Sequence, residues 1–326
     1  MIGIFKQKNP GNNLMILVYG LVLKLNYIIR APQPLRQEED HYLYTLTLRL
    51  LDPLHIPSLV FGVISFALLY IQAILINRVC LDQKMLAKPT YLPAMCYMLL
   101  TSLFAEWNYF SAPLLVNTFL ILLFYRMVNL YNIHKPLTAI FNIGLLMGIV
   151  TLLYQPAIIF VVMIPFTLFI MRPFRIREWL IGFLGVTTPY YFLALEPLFT
   201  NRWIWKHLLP SISMDFPAIP TSIYITIAIL LLVAPFIVGG YFVQGNLNKM
   251  LIQIRKGWSL VLLLLIISLF IILVNGGNNY VNWIFCLVPI SFFHASAYFY
   301  PANKIFPVVL HWLTFAYALF IGYGIW

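Results

Sequence analysis

Apolar runs long enough to cross a bilayer recur along almost the whole of this chain, and they limit its fold more than any other feature. In hydrocarbon each backbone N–H and C=O must be paired within its own segment, so an apolar run of about 17 to 25 residues has to be helix. Eleven such runs are predicted, over about 13–29, 55–77, 91–105, 112–130, 137–153, 156–171, 179–195, 219–241, 258–275, 281–299 and 303–325. The third is short, and Tyr154, Gln155 and Pro156 allow either a tight hairpin or one broken helix between the fifth and sixth. The expected fold is all-α and polytopic, with about eleven spans and a range of ten to twelve. Composition agrees: 9% of the residues are charged, against roughly 25% in a soluble domain. The first run has no small-residue cleavage site and reads as a retained span, not a cleaved signal. Cys80, Cys96 and Cys286 lie in or at the ends of apolar runs, which suits packing better than a disulfide framework.

A net charge of +11 is compatible with nucleic acid or with an anionic surface, and its distribution decides between them. With the N-terminus in the cytoplasm, fourteen of the 20 Lys and Arg fall in inside loops, five in outside loops, and Lys24 within the first span. Basic residues favour cytoplasmic loops, so this orientation is expected, with the C-terminus outside after an odd number of spans. Seven of the nine acids then fall outside: Glu38, Glu39, Asp40, Asp52, Glu106, Glu196 and Asp215. The cytoplasmic surplus of positive charge reads as anchoring beside anionic headgroups, which makes membrane lipids the expected partners and sets nucleic acid aside.

Two outside loops are long enough to do more than connect. The first, about 30–54, carries "RQEEDHY" and then "LYTLTLRLLDP", where Leu43, Leu46 and Leu50 are spaced for a short amphipathic helix on the membrane surface. The second, about 196–218, holds Trp203 and Trp205 as interface anchors beside Arg202, Lys206 and His207. Acidic residues in a loop are usually a solvated surface. Here a further carboxylate, Glu106, stands in the next outside loop among aromatic residues, where partial desolvation would raise its pKa and suit it to proton transfer. Two acidic loops beside one cavity could hold a nucleophile's proton or a divalent metal.

The pattern of "EEDHY" at 38–42, "AEWNYFSAPLLVNTFLILLFYRMVNLY" at 105–131 and the helix pair around "RPFRIREWLIGFLGVTTPYYFLAL" resembles the membrane-embedded glycosyltransferases of the GT-C fold. The resemblance covers about residues 10–200 and implies a seven-helix core over 1–200, followed by a four-helix extension over 201–326. It implies a polyprenyl-phosphate sugar as donor. Asp40 or Glu39 would then be the general base, Glu106 would assist or help to hold a metal, and Arg36, Arg202 or Lys206 would meet the donor phosphate. The acidic motif differs from the usual Asp-Glu or Asp-x-Asp form of that fold. The chain is also similar to bacterial polytopic inner-membrane families of about this length, which implies the bacterial cytoplasmic membrane and keeps a non-catalytic relative open.

Two other functions stand beside the transferase. A secondary transporter is expected to break helices at corresponding places in two halves; breaks occur at Gln155-Pro156 and Thr188-Pro189, without matching halves. A non-catalytic scaffold in an envelope complex, with a protein partner, predicts outside carboxylates that can be replaced freely. Lys24, within a span, either snorkels, lines a cavity or marks a substrate path. Gly144 and Gly148 have the small-xxx-small spacing of close helix packing, "NGGNNYVNW" at 275–283 reads as a turn, and "RPFRIREW" at 172–179 reads as a basic anchor able to meet headgroups. No Walker A, G-x-S-x-G or zincin pattern is present.

Overall fold

The computed structural model describes residues 2–7, 9–200, 222–273, 280–303 and 305–324. Among them the helices are α1 (Ile2–Phe5), α2 (Asn12–Ile29), α3 (Tyr42–Leu51), α4 (Ser58–Asp82), α5 (Leu92–Leu100), α6 (Ala112–Val128), α7 (Pro136–Leu153), α8 (Met163–Met171), α9 (Ile176–Thr200), α10 (Ile223–Asn246), α11 (Ile252–Leu273), α12 (Ile284–Phe299) and α13 (Ile305–Gly324). The described residues contain no strand, only an isolated antiparallel bridge between Asp40 and Tyr154. Among the described residues eight helices are long and apolar enough to cross a membrane: α2, α4, α6, α7 and α10 to α13. Their outer faces carry exposed Leu, Ile, Val and Phe, as Leu230 and Ile237 of α10 and Leu262, Ile266 and Phe270 of α11 do. Such faces belong in lipid, and the chain is a membrane-embedded, all-helical protein.

Three of the expected runs lie outside those eight. The third is a nine-residue helix, α5, about 14 Å long at 1.5 Å per residue and so roughly half a hydrocarbon core. Past Leu100 the Thr101 carbonyl accepts from Asn108 and its hydroxyl from Lys24, which draws the chain away from the helix. The sixth begins as a 3-10 helix, Gln155–Val162, and becomes α-helical only in α8. Pro156 explains the tight start, since it has no N–H to continue the preceding α7. The seventh is α9, of 25 residues.

The interior is built on α12, whose apolar window is 89% buried, and on α5, all nine residues of which are buried. Around them α2, α4, α6, α10 and α11 pack in turn, and α7 lies flat against α9. A Cβ on Gly144 would fall 2.2 Å from the Gly182 carbonyl oxygen, and one on Gly148 2.5 Å from that of Val186. Those glycines let the two backbones touch, which is the packing role their spacing predicts.

Hydrogen bonds define two ends of the bundle. At one, Tyr91 N donates to Phe5 O, Gln83 joins Asn129 and Gln253, and Arg172 bonds the Leu130 and Ile133 carbonyls. This end carries Lys84, Lys88, Arg126, Lys135, Arg175, Arg177, Arg255 and Lys256. At the other, Leu35 N donates to Phe110 O, Trp107 Nε1 to Tyr280 O, and Tyr154 Oη to Asn282 Oδ1 at 2.5 Å. Here stand Glu38, Glu39, Asp40, Asp52 and Glu106. The molecule therefore has a basic end and an acidic end.

Candidate functional site

The acidic end is organised by the break after α7. Tyr154 is extended (φ −148°, ψ 122°), so its backbone can pair as a strand would. Gln155 N donates to Glu39 O at 3.0 Å and His41 N to Leu153 O at 3.2 Å, which clamps the acidic loop across the break. The Tyr154 ring is fully buried below that loop. Burial first, and then the Glu39 and Asp40 carboxylates, keep its phenol protonated. Its hydroxyl reaches Asn282, in the 3-10 turn Tyr280–Trp283, and the same turn accepts from Trp107.

Asp40 Oδ2 accepts from Gln37 N at 2.7 Å, a local side-chain bond to the backbone three residues back. Its Oδ1 is buried and has no partner. Burial dominates: it pushes the carboxyl up to about 7, against the opposing Gln37 bond, with Glu39 adding to the rise and Arg36 lowering it. Glu39 is half-buried and Glu38 exposed. Next to them His41 is buried beside the Leu152 carbonyl, and burial lowers its pKa.

Glu106 lies in the 3-10 turn Ala105–Asn108 between α5 and α6. Its Oε2 is buried and unpartnered; burial raises its pKa, opposed by a bond from the Tyr280 backbone. The loop that carries it is non-helical, and its polar groups are met from within. Asn108 Nδ2 donates to the Thr101 and Phe104 carbonyls. Lys24 Nζ, 1% exposed, donates to Thr101 Oγ1 at 2.9 Å and Asn108 Oδ1 at 2.5 Å. Lys24 therefore does not snorkel; it braces the loop that presents Glu106.

Two hollows meet at that loop. One, of about 220 Å³, is lined by Glu106 with Phe104, Tyr224, Ile225, Tyr280 and Tyr317. The other, of about 240 Å³, is walled by α10 and α11 and floored by Cys286, Leu287 and Ile290 of α12. They share Phe104, Ile225 and Tyr280. The second hollow is apolar throughout, and Val233 and Leu269 at its rim are 41% and 50% exposed, so it opens sideways between α10 and α11. An apolar, laterally open groove adjoining the hollow of a half-buried carboxyl can take a hydrocarbon chain with a reactive headgroup at its end.

The candidate residues fare differently. Asp40, Glu39 and Glu106 stand at one end, tied through Tyr154, Asn282 and Tyr280. Arg36 closes on Asp52, with Nη2 at 2.7 and 2.8 Å from its two oxygens, over a hollow of about 440 Å³ beneath α3. Arg202 and Lys206, with Trp203, Trp205 and His207, lie outside the described residues. Among the described residues no three His, Cys, Asp or Glu gather as a metal-binding group. In α3 it is Tyr44 and Leu48 that face the protein, leaving Leu46 and Leu50 exposed as a membrane-surface face would be. Tyr154, Asn282 and the groove were not identified from sequence; the pre-proline break is the one signal that pointed toward them. No family model matches the chain, and neither a curated protein nor a solved structure matches it.

Proposed function

We propose that this protein is a lipid-linked-sugar transferase of the bacterial cytoplasmic membrane. In this reading it crosses the bilayer eleven times, N-terminus inside, so that the acidic end faces outward. The observation that carries the reading is the apolar groove between α10 and α11 running up to the loop of Glu106. A polyprenyl tail would occupy the groove and bring its phosphate-linked sugar to the acidic loops. Asp40, poised near neutrality, takes the acceptor's hydroxyl proton on its free Oδ1. The acceptor oxygen attacks the anomeric carbon, the bond from that carbon to the phosphate oxygen breaks, and polyprenyl phosphate leaves with the electron pair. Glu106 supports the headgroup, and Glu39 adds negative charge beside the base. Arg36 meets the phosphate by exchanging it for Asp52. A divalent metal, if used, would sit between the two acidic loops.

The test is turnover in nanodiscs of polyprenyl-phosphate hexoses and pentoses, read as release of polyprenyl phosphate. One of these donors should be consumed, and Asp40→Asn should lower its rate by about 10² to 10⁴, the usual contribution of a general base. The base acts ionised, so the rate should climb with pH and level off above about 7. Failure to consume any donor, or an unchanged rate in Asp40→Asn, would remove the transferase reading.

A further inference from the structure

The basic end holds a preformed hollow that the proposed reaction does not use. It is about 420 Å³ and lies where the start of α7 meets the turn between α8 and α9, lined by His134, Lys135, Thr138, Arg175, Arg177 and Glu178. Its frame is a buried ion pair. Arg172 Nε and Nη2 bond the two Glu178 oxygens at 2.8 and 3.3 Å, while Nη1 bonds the Leu130 and Ile133 carbonyls. That single guanidinium fixes the 130–133 turn to the first turn of α9 and consumes the one carboxylate that lines the hollow among the described residues. Lys135, Arg175 and Arg177 are exposed, and none is in an ion pair among the described residues. Three uncompensated cations thus face one cavity. Just outside it, Phe174, Ile176 and Leu180 are each more than 60% exposed, an apolar collar that a free aqueous anion would not need.

We infer that this hollow is a binding site for an anionic diacyl phospholipid, its phosphate among Lys135, Arg175 and Arg177 and its acyl chains along Phe174, Ile176 and Leu180. The sequence places "RPFRIREW" as a basic stretch with no defined shape; the fold turns it into half of a pocket by setting Lys135 opposite. The collar favours a lipid over inorganic phosphate, and the three charges favour phosphatidylglycerol over zwitterionic phosphatidylcholine.

The delipidated, detergent-purified protein, titrated with each of these two lipids and followed by native mass spectrometry, tests this. Phosphatidylglycerol should bind at least tenfold tighter than phosphatidylcholine. Each cation near an anionic headgroup is worth about fivefold, so Lys135→Gln/Arg175→Gln/Arg177→Gln should lose about a hundredfold. Arg255→Gln, at the same end but outside the hollow, should stay within twofold. If the triple variant does not purify as a single species, Arg175→Gln and Arg177→Gln alone should each lose about fivefold. Equal loss in Arg255→Gln would mean diffuse charge and overturn the site. Equal binding of the two lipids, or full displacement by millimolar inorganic phosphate or glycerol phosphate, would overturn the lipid assignment.

Discussion

Asp40→Asn removes a charge from a place where the fold resists it. In the native protein burial holds the Asp40 carboxyl near 7 against an ordinary 3.8, so the unfolded chain ionises it about three pH units sooner. The native state keeps the proton longer, and the sign follows. The contribution of Asp40 is most favourable below about pH 4, falls as pH rises through the interval up to about 7, and is level above it. At 1.36 kcal/mol per pH unit the full difference would be about 4 kcal/mol. The side chain is partly exposed, and screening by water brings the expectation down to about 2 kcal/mol. Asn keeps an oxygen for the Gln37 N–H and carries no charge. Asp40→Asn should therefore equal the parent at pH 4 and exceed it by about 2 kcal/mol at pH 8, while losing transfer activity, the exchange of stability for function expected of a working site. Denaturation in mixed detergent micelles, followed by tryptophan fluorescence at pH 4, 6 and 8, measures it. Glu106 is present in both proteins, so its own slope cancels in the difference. A gap that does not change with pH, or a variant less stable at pH 8, would show that burial does not govern this carboxyl and would remove the ground for naming it a base.

Other perturbations follow from particular contacts. Gly144→Ala would put a Cβ at 2.2 Å from a backbone oxygen and must part α7 from α9, at about 1–3 kcal/mol in the same denaturation assay. Gly240→Ala, inside α10 with nothing within 4 Å, should gain up to about 1 kcal/mol, since Ala is the better helix former. Lys24→Met leaves Asn108 Oδ1 buried without its donor, for a loss of about 1–3 kcal/mol; unchanged stability would mean that the brace is dispensable. Tyr154→Phe breaks the bond to Asn282 at a similar cost of about 1–3 kcal/mol. The backbone clamp from Glu39 and His41 survives it, so transfer should fall less than tenfold, a split in rate that Asp40→Asn will not share.

The spanning helices were legible because membrane helices announce themselves by length and composition alone. What escaped was wherever the chain's partner was distant. The apolar run at 91–105 continues past Leu100, yet the helix ends there because Thr101 meets Lys24 and Asn108, which no local pattern reveals. The carboxylates Asp40 and Glu106 could be picked as unusual residues in their loops, but their link runs through Tyr154 and through the turn that holds Tyr280 and Asn282, which belong to two other stretches. The groove is a property of α10 and α11 each packing on α12, and apolar residues facing it look in sequence like apolar residues facing lipid.

Lys24 also bears on how this protein can be made. A lysine at the centre of a lone helix opposes membrane insertion by about 2.5 to 3.5 kcal/mol, and the groups that receive its ammonium, Thr101 and Asn108, lie 77 and 84 residues further along the chain. At synthesis rates of about 5–20 residues per second, they emerge roughly 4 to 17 seconds after it. During that interval α2 has no partner for its amine, so the first helix has to be sheltered at the insertion machinery, or held at the headgroups, until α5 and its loop arrive to receive it.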